Sequence, residues 1–279
     1  MNLLGLHHVS AITASRRECL EFYGGLLGLP VAAEPDAGSL SFSADPGAPG
    51  GVLSFVVSPG AEPGVAGRGL VHRLQWSVSG PAALESWRRR LESAGVGVTA
   101  WLDGAGSPLA LRFRDPDGLE HEIAIALGGR SLALAGVRSY AAASVESGDL
   151  LAGRLGFASC GEGAWVVGAG PDACRYDCDP PPPSRPVQGA GTVRHVAWSC
   201  RPGEERAWRQ RVIGMGATVS RVIECEGYRC FFFREPDGVL FAVATRNTPV
   251  GGAQQRFQLP RPAEIPPRIA RPIGILAAA

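Results

Sequence analysis

The chain has no lysine: all 27 of its basic residues are arginine. That excludes Schiff-base chemistry on a lysine amine and a lysine anchor for phosphate. Strong net charge is missing too. The 26 acidic residues leave a formal charge of +1, so no polyanion-binding surface is marked and no nucleic-acid partner is expected. No run of 18 apolar residues occurs, which argues against a membrane-spanning helix. The opening Met1-Asn2-Leu3-Leu4 lacks the basic-then-apolar pattern of a secretory leader, so a soluble, cytoplasmic protein is expected. A phosphate loop, a dinucleotide-binding glycine fingerprint and a nucleophile elbow are all absent.

Cysteine is present without organisation. The seven cysteines, at 19, 160, 174, 178, 200, 225 and 230, are odd in number and irregular in spacing. A disulfide framework is therefore not expected. Cys174 and Cys178 alone are too few for a tetrahedral thiolate site. Buried thiols are the expectation for Cys225 and Cys230.

What abounds is punctuation. Thirty-eight glycines and 23 prolines fit many short elements joined by turns better than long helices. A length of 279 residues allows one large or two ordinary domains. Four segments share one rhythm. The first opens with the strand Gly5-Leu6-His7-His8-Val9-Ser10. An amphipathic helix follows over about 15–27, with Cys19, Leu20, Tyr23 and Leu27 at helical spacing, and Gly28-Leu29-Pro30 stops it. Three short strands complete a βαβββ unit. The other units open at Leu70-Val71-His72-Arg73, Gly136-Val137-Arg138-Ser139 and Thr192-Val193-Arg194-His195. The expected division is 1–60 for module one, 68–128 for module two, 131–170 for module three and 191–248 for module four. A connector, 169–190, carries Pro180-Pro181-Pro182 and reads as irregular. A proline-rich tail, 249–279, is expected to wrap the surface. One βαβββ unit leaves an apolar face uncovered, so two must pack side by side. The fold expected is α+β, four βαβββ modules forming two barrel-like domains.

Two strings stand out: Phe113-Arg114-Asp115-Pro116-Asp117-Gly118 and Phe233-Arg234-Glu235-Pro236-Asp237-Gly238. Each leads into a strand. After the first come Leu119-Glu120-His121-Glu122; after the second come Val239-Leu240-Phe241-Ala242. The alignment has no gap, so Ala242 occupies the position of Glu122.

These strings, together with His7-His8-Val9-Ser10-Ala11-Ile12, Phe22-Tyr23-x-x-Leu26-Leu27-Gly28-Leu29 and Gly191-Thr192-Val193-Arg194-His195, resemble the vicinal-oxygen-chelate superfamily. Taken together they look like its four-module, ring-cleaving (hydroquinone-type) dioxygenase branch. The resemblance implies that module one pairs with module four and module two with module three. It implies a metal, usually ferrous iron, in the one/four domain. The implied ligands are His8, His195 and a glutamate at the position held here by Ala242. Two imidazoles without the carboxylate are neutral and hold a divalent ion weakly. Manganous or another divalent ion is an alternative to iron, and no metal is expected if the alanine abolishes binding. Replacement ligands would come from Glu224, Glu226, Tyr228, Cys225 or Cys230, or from water or substrate oxygen. In the two/three domain Arg73, Ser139 and Glu122 fill the ligand positions, and Arg73 is expected to face Glu122 as a structural pair. His7, His72 and Arg194 are expected on the opposite face, and His121 should point away from Glu122.

Three functions follow as expectations. The first is a metal-dependent, dioxygenase-like enzyme acting with dioxygen on a phenolic or polyketide-like aromatic, or a lyase or isomerase on the same scaffold. The second is a metal-free enzyme using His8 and His195 as acid–base groups, with Tyr228 beside them. The third is an aromatic-ligand-binding protein that sequesters without turnover. Trp198, Phe231, Phe233 and Ala242 are expected to line the pocket, with Arg229 as an anion anchor. A monomer or homodimer is expected.

Overall fold

The computed structural model describes residues 1–33, 37–43, 51–104, 108–126, 132–225 and 227–245, with Ile265, Pro266 and Ile269 of the tail. Module one supplies β1 (Leu6–Thr13), β2 (Val31–Ala33), β3 (Ser39–Ser43) and β4 (Val52–Val57). Module two supplies β5 (Val71–Val78), β6 (Thr99–Leu102), β7 (Pro108–Arg114) and β8 (Glu120–Ile125). Then come β9 (Ala133–Tyr140), β10 (Ala158–Gly161), β11 (Ala164–Val167) and β12 (Cys174–Asp179). The last set is β13 (Val193–Cys200), β14 (Ile223–Cys225), β15 (Tyr228–Arg234) and β16 (Leu240–Thr245). Helices follow each opening strand: α1 (Arg16–Cys19), α2 (Pro81–Ser93), α3 (Val145–Gly148) and α4 (Glu205–Ile213). α1 and α3 run on as wider π-helical turns, Leu20–Leu26 and Asp149–Arg154.

The strands form two eight-stranded sheets. One has the order β14-β15-β16-β13-β1-β4-β3-β2, the other β10-β11-β12-β9-β5-β8-β7-β6. Each is joined at its centre by an antiparallel pair of opening strands, β1 with β13 and β5 with β9. Neither sheet closes: among the described residues no hydrogen bonds join β14 to β2 or β10 to β6. The expectation of two barrel-like domains is therefore corrected to two open sheets in an α+β fold. The physical reason lies at the rims. β2 and β14 have three residues each and β6 and β10 four each, too short to carry a ladder across to the far edge.

The 169–190 connector also differs from expectation. Its first part is β12, which pairs in parallel with β9 and completes module three. Cys174 and Tyr176 bury one side of that strand while Arg175 stays exposed on the other. The charged residues concealed this period-two pattern.

The main core lies between the two sheets. Trp198, Phe241 and Val196 of the first sheet meet it together with Tyr176 of β12. Tyr176 lies 5.2 Å from Phe241 and 6.0 Å from Trp198 between ring centroids. The π-helical turn after α1 inserts Tyr23, whose hydroxyl donates to Asp115 Oδ2 at 2.7 Å. Trp76 Nε1 donates to His121 Nδ1 at 2.9 Å, so the Nε2 proton of His121 faces the Tyr23 oxygen 3.0 Å away. His121 thus points away from Glu122 and is a satisfied core histidine. The paired hexapeptides act as caps. Asp115 accepts from the Leu119 amide and Glu235 from the Val239 amide, and Gly118 and Gly238 take the positive φ each turn needs. Among the described residues no helix is long and apolar enough to cross a membrane.

Candidate functional site

The face of the first sheet turned away from the main core carries two cross-strand rows. In one, Val52, His8, Ala197, Ala242 and Phe232 are successive partners on β4, β1, β13, β16 and β15. In the other, Ser41, Ser54, Ser10 and His195 are successive partners on β3, β4, β1 and β13. Period-two alternation puts both rows on one face. Ala197, Phe232, Ala242, Ala244, Cys230 and Tyr228 there form a second, smaller core with Ile265 and Ile269 of the tail.

His8 Nε2 lies 2.8 Å from His195 Nε2, and His8 Nδ1 lies 2.8 Å from His7 Nδ1. Three imidazoles thus form one hydrogen-bonded chain. The expectation that His7 sits on the opposite face fails because the β1–β13 register shifts between Leu6 and His8. That bulge turns His7 to the side of His8. An equivalent shift between Val71 and Arg73 brings His72 to Asp179 Oδ2 at 2.9 Å and stacks it on Tyr140 at 3.8 Å. Sequence reasoning misses both shifts, since side-chain alternation carries no mark of an inserted residue. It also misses the serine row, for which the signal was serine at alternate positions in otherwise apolar strands.

His8 is held well below the ordinary histidine pKa by burial first, then by His195 and His7. His195 is lowered by burial, then by the Arg194 charge and His7. Both rings are therefore neutral at neutral pH. A neutral His8 has one N–H, so it donates to one neighbour and accepts from the other. Among the described residues His195 Nδ1 and Ser10 Oγ are buried without a hydrogen-bond partner. Buried polar atoms are rarely left so, and both are suited to an oxygen-bearing ligand.

Tyr228 stands beside the chain, its ring centroid 4.9 Å from that of His7 and 5.7 Å from that of His8. Phe232 packs edge-on to His195 at 5.0 Å. The other expected pocket residues go elsewhere. Trp198, Phe231 and Phe233 belong to the main core, on the other side of the sheet. Arg229 is clasped by Glu205 and Glu224, each at 2.8 Å, and Glu205 is buried, so it is not an open anion anchor. Glu224 is likewise committed to Arg229 and is largely exposed. Glu226 lies outside the described residues.

The second sheet answers the same positions with charge. Arg73 meets Glu120 at 3.1 Å and Glu122 at 3.3 Å, Arg112 meets Glu122 at 2.7 Å, and Arg138 bridges Asp177 and Asp179 at 3.1 and 2.6 Å. An open hollow of about 700 Å³ adjoins this network, lined in part by Phe22, Arg73, Trp101, Arg112 and Glu120. Its arginines already have carboxylate partners, whereas the histidine face has unmet polar atoms, and the chemistry argues for the latter.

The donor set on the histidine face does not fit a facial-triad metal. The third position is the Ala242 methyl group. No carboxylate appears in either cross-strand row, and the charge felt at His195 is the Arg194 cation. Among the described residues no three His, Cys, Asp or Glu side chains are grouped to hold an ion. A divalent charge buried there would meet neutral nitrogens and a neighbouring cation, with nothing to offset its desolvation.

Similarity to known proteins agrees with the architecture. Residues 5–123 match the Glyoxalase/Bleomycin resistance protein/Dioxygenase superfamily. The "Putative ring-cleaving dioxygenase MhqO" of Bacillus subtilis (strain 168) is 29% identical, over 91% of this chain and 88% of its own. MhqA of the same organism, named in the same words, is 28% identical over 88% of each chain. The crystal structure of a putative dioxygenase from Bacillus subtilis superposes with a TM-score of 0.77 at 28% identity, covering 88% of this chain and 86% of its own. Maize glyoxalase I shares the fold, with a TM-score of 0.64 at 13% identity over 87% of this chain and 92% of its own. Residues 5–123 thus match the model of that superfamily, and along most of its length the chain is similar to putative ring-cleaving dioxygenases.

Proposed function

We propose that this chain is a dioxygenase-like enzyme whose imidazole chain deprotonates a small phenolic or polyketide-like aromatic, without a facial-triad metal. The observation that carries this reading is the contact of His8 Nε2 with His195 Nε2 at 2.8 Å, in a row whose next acidic position is the Ala242 methyl. The substrate hydroxyl gives its proton to His195 Nδ1. His195 passes its Nε2 proton to His8 Nε2, and His8 passes its Nδ1 proton to His7 Nδ1. Each transfer breaks one N–H or O–H bond and makes one N–H bond. The relay is directional only because neutral His8 has a single N–H. The Arg194 charge, which acts on His195, would also favour the phenolate that forms. A phenolate ring is electron-rich towards dioxygen, and ring opening takes up both oxygen atoms, so no outside reductant is needed. The Ser10, Ser54 and Ser41 hydroxyls continue from His195 and suit a substrate with more than one oxygen.

The test is oxygen uptake with catechol- and hydroquinone-type substrates, by wild type and His195→Gln in the presence of a chelator. Uptake by the wild type that the variant loses supports the proposal. Uptake that appears only after ferrous loading would transfer the reaction to a metal held by the two histidines.

A further inference from the structure

Cys225 and Cys230 lie at the base of the hairpin that holds Tyr228, with their sulfurs 3.9 Å apart. In the β14–β15 ladder Cys225 pairs with Tyr228 and Ile223 with Cys230. The two cysteines are therefore diagonal neighbours on one face, which is the arrangement that brings their sulfurs into contact. Neither is in a disulfide. The two differ in access: Cys230 is fully buried, whereas Cys225 is only partly buried. The turn between them contains Gly227 at φ +87°, backbone able to adjust at little steric cost.

We propose that Cys225 and Cys230 form an oxidative modification site, a vicinal dithiol that a hydroperoxide converts to an intramolecular disulfide. Cys225, the accessible sulfur, attacks the peroxide. It takes one oxygen as a sulfenic acid while the peroxide's other oxygen leaves as hydroxide and is protonated to water. Cys230 then attacks the Cys225 sulfur, forming the S–S bond and releasing a second water. Two thiols are oxidised by two electrons and one hydroperoxide is reduced. A sulfur–sulfur bond is about 2.05 Å, so the sulfurs must approach by roughly 1.9 Å. Rotation about the two Cα–Cβ bonds and a small shift of the hairpin supply this. The closed loop is short, so the consequence is local rather than a large gain in stability. It would pin the strand that carries Tyr228, whose ring lies against His7 and His8, and reshape the surface shared with Ile265 and Ile269.

The test treats the native full-length protein with hydrogen peroxide, blocks remaining thiols by alkylation, and maps disulfides by mass spectrometry. The expected result is a loss of two hydrogens and a Cys225–Cys230 crosslink that a dithiol reductant reverses. Cys230→Ser should instead accumulate a sulfenic acid at Cys225 that a cyclic diketone traps, and Cys225→Ser should give neither product. The inference is overturned if wild type crosslinks other cysteines. It is equally overturned if Cys225 stops at sulfenic acid, or if the pair stays reduced at peroxide levels that oxidise a small-molecule thiol.

Discussion

His8 and His195, 187 residues apart in sequence, share a hydrogen bond between their Nε2 atoms at 2.8 Å. The bond spans the central antiparallel pair of the first sheet, so its geometry is fixed by two well-buried strands rather than by loops. Glutamine at either position keeps a polar side chain and removes the titrating ring. His195→Gln and His8→Gln should each lower kcat/KM by about 10²–10⁴, the range for general acid–base catalysis. His7→Gln, at the far end of the chain, should cost less. Steady-state kinetics across pH check the order, and equal effects at all three positions would argue against a relay.

Ala242→Glu restores an acidic side chain at the position paired with Ala197 and Phe232. The site is fully buried, so desolvation raises the new carboxyl's pKa. Its folded value then exceeds the unfolded value of about 4.3. The variant should show only a pH-independent packing cost below that pH and lose further stability as pH rises through the raised value. A few kcal/mol at neutral pH is the expected scale. Ferrous ion added anaerobically should recover part of the loss, because it binds the native state only. Thermal melting at pH 4 and pH 7, with and without ferrous ion, reads each part.

Much of this arrangement was legible in the sequence. The gapless match of the two hexapeptides placed Ala242 opposite Glu122, and the repeated openings placed His8 and His195 at equivalent positions. Alternation along β15 determines that Phe232 lines the site, whereas Phe231 and Phe233 face the main core. Phe231 and Phe233, expected as pocket walls, therefore lie on the wrong side of that strand. The bulges that redirect His7 and His72 depend on long-range pairing and leave no local trace. Open sheets in place of barrels follow from rim strands of three or four residues, which short apolar runs in a glycine-rich sequence do not reveal.

The network of Tyr23, His121 and Asp115 carries two opposed titrations. Burial lowers His121 to about 3, so its contribution to stability is complete above the unfolded value of 6.5 and is lost as pH falls towards 3. Burial raises Asp115 to about 6, so its contribution is complete below the unfolded value of 3.8 and is lost as pH rises through 6. Each group changes stability by about 1.4 kcal/mol per pH unit inside its window. His121→Gln removes the first and leaves the second. Relative to wild type, the variant should gain stability as pH falls from 6 to 4. Urea unfolding at pH 4, 5, 6 and 7 measures this, and a constant difference between the two proteins would contradict it.

Ile265 and Ile269 cover the histidine face, and each buried side chain contributes roughly 1.5–3 kcal/mol. Ile265→Asp and Ile269→Asp should uncover that face without unfolding the sheets. Amide exchange in β15 and β16 should quicken, and His195 should react faster with an acylating reagent. Unchanged reactivity would mean that these two side chains do not control access.

The most direct test of the account is activity measured on protein stripped of metal with a chelator and checked by elemental analysis. Oxygen uptake at the untreated rate, abolished in His195→Gln, is the predicted result. Loss of uptake on stripping, with recovery on stoichiometric ferrous ion in the wild type and not in His8→Gln, would contradict it.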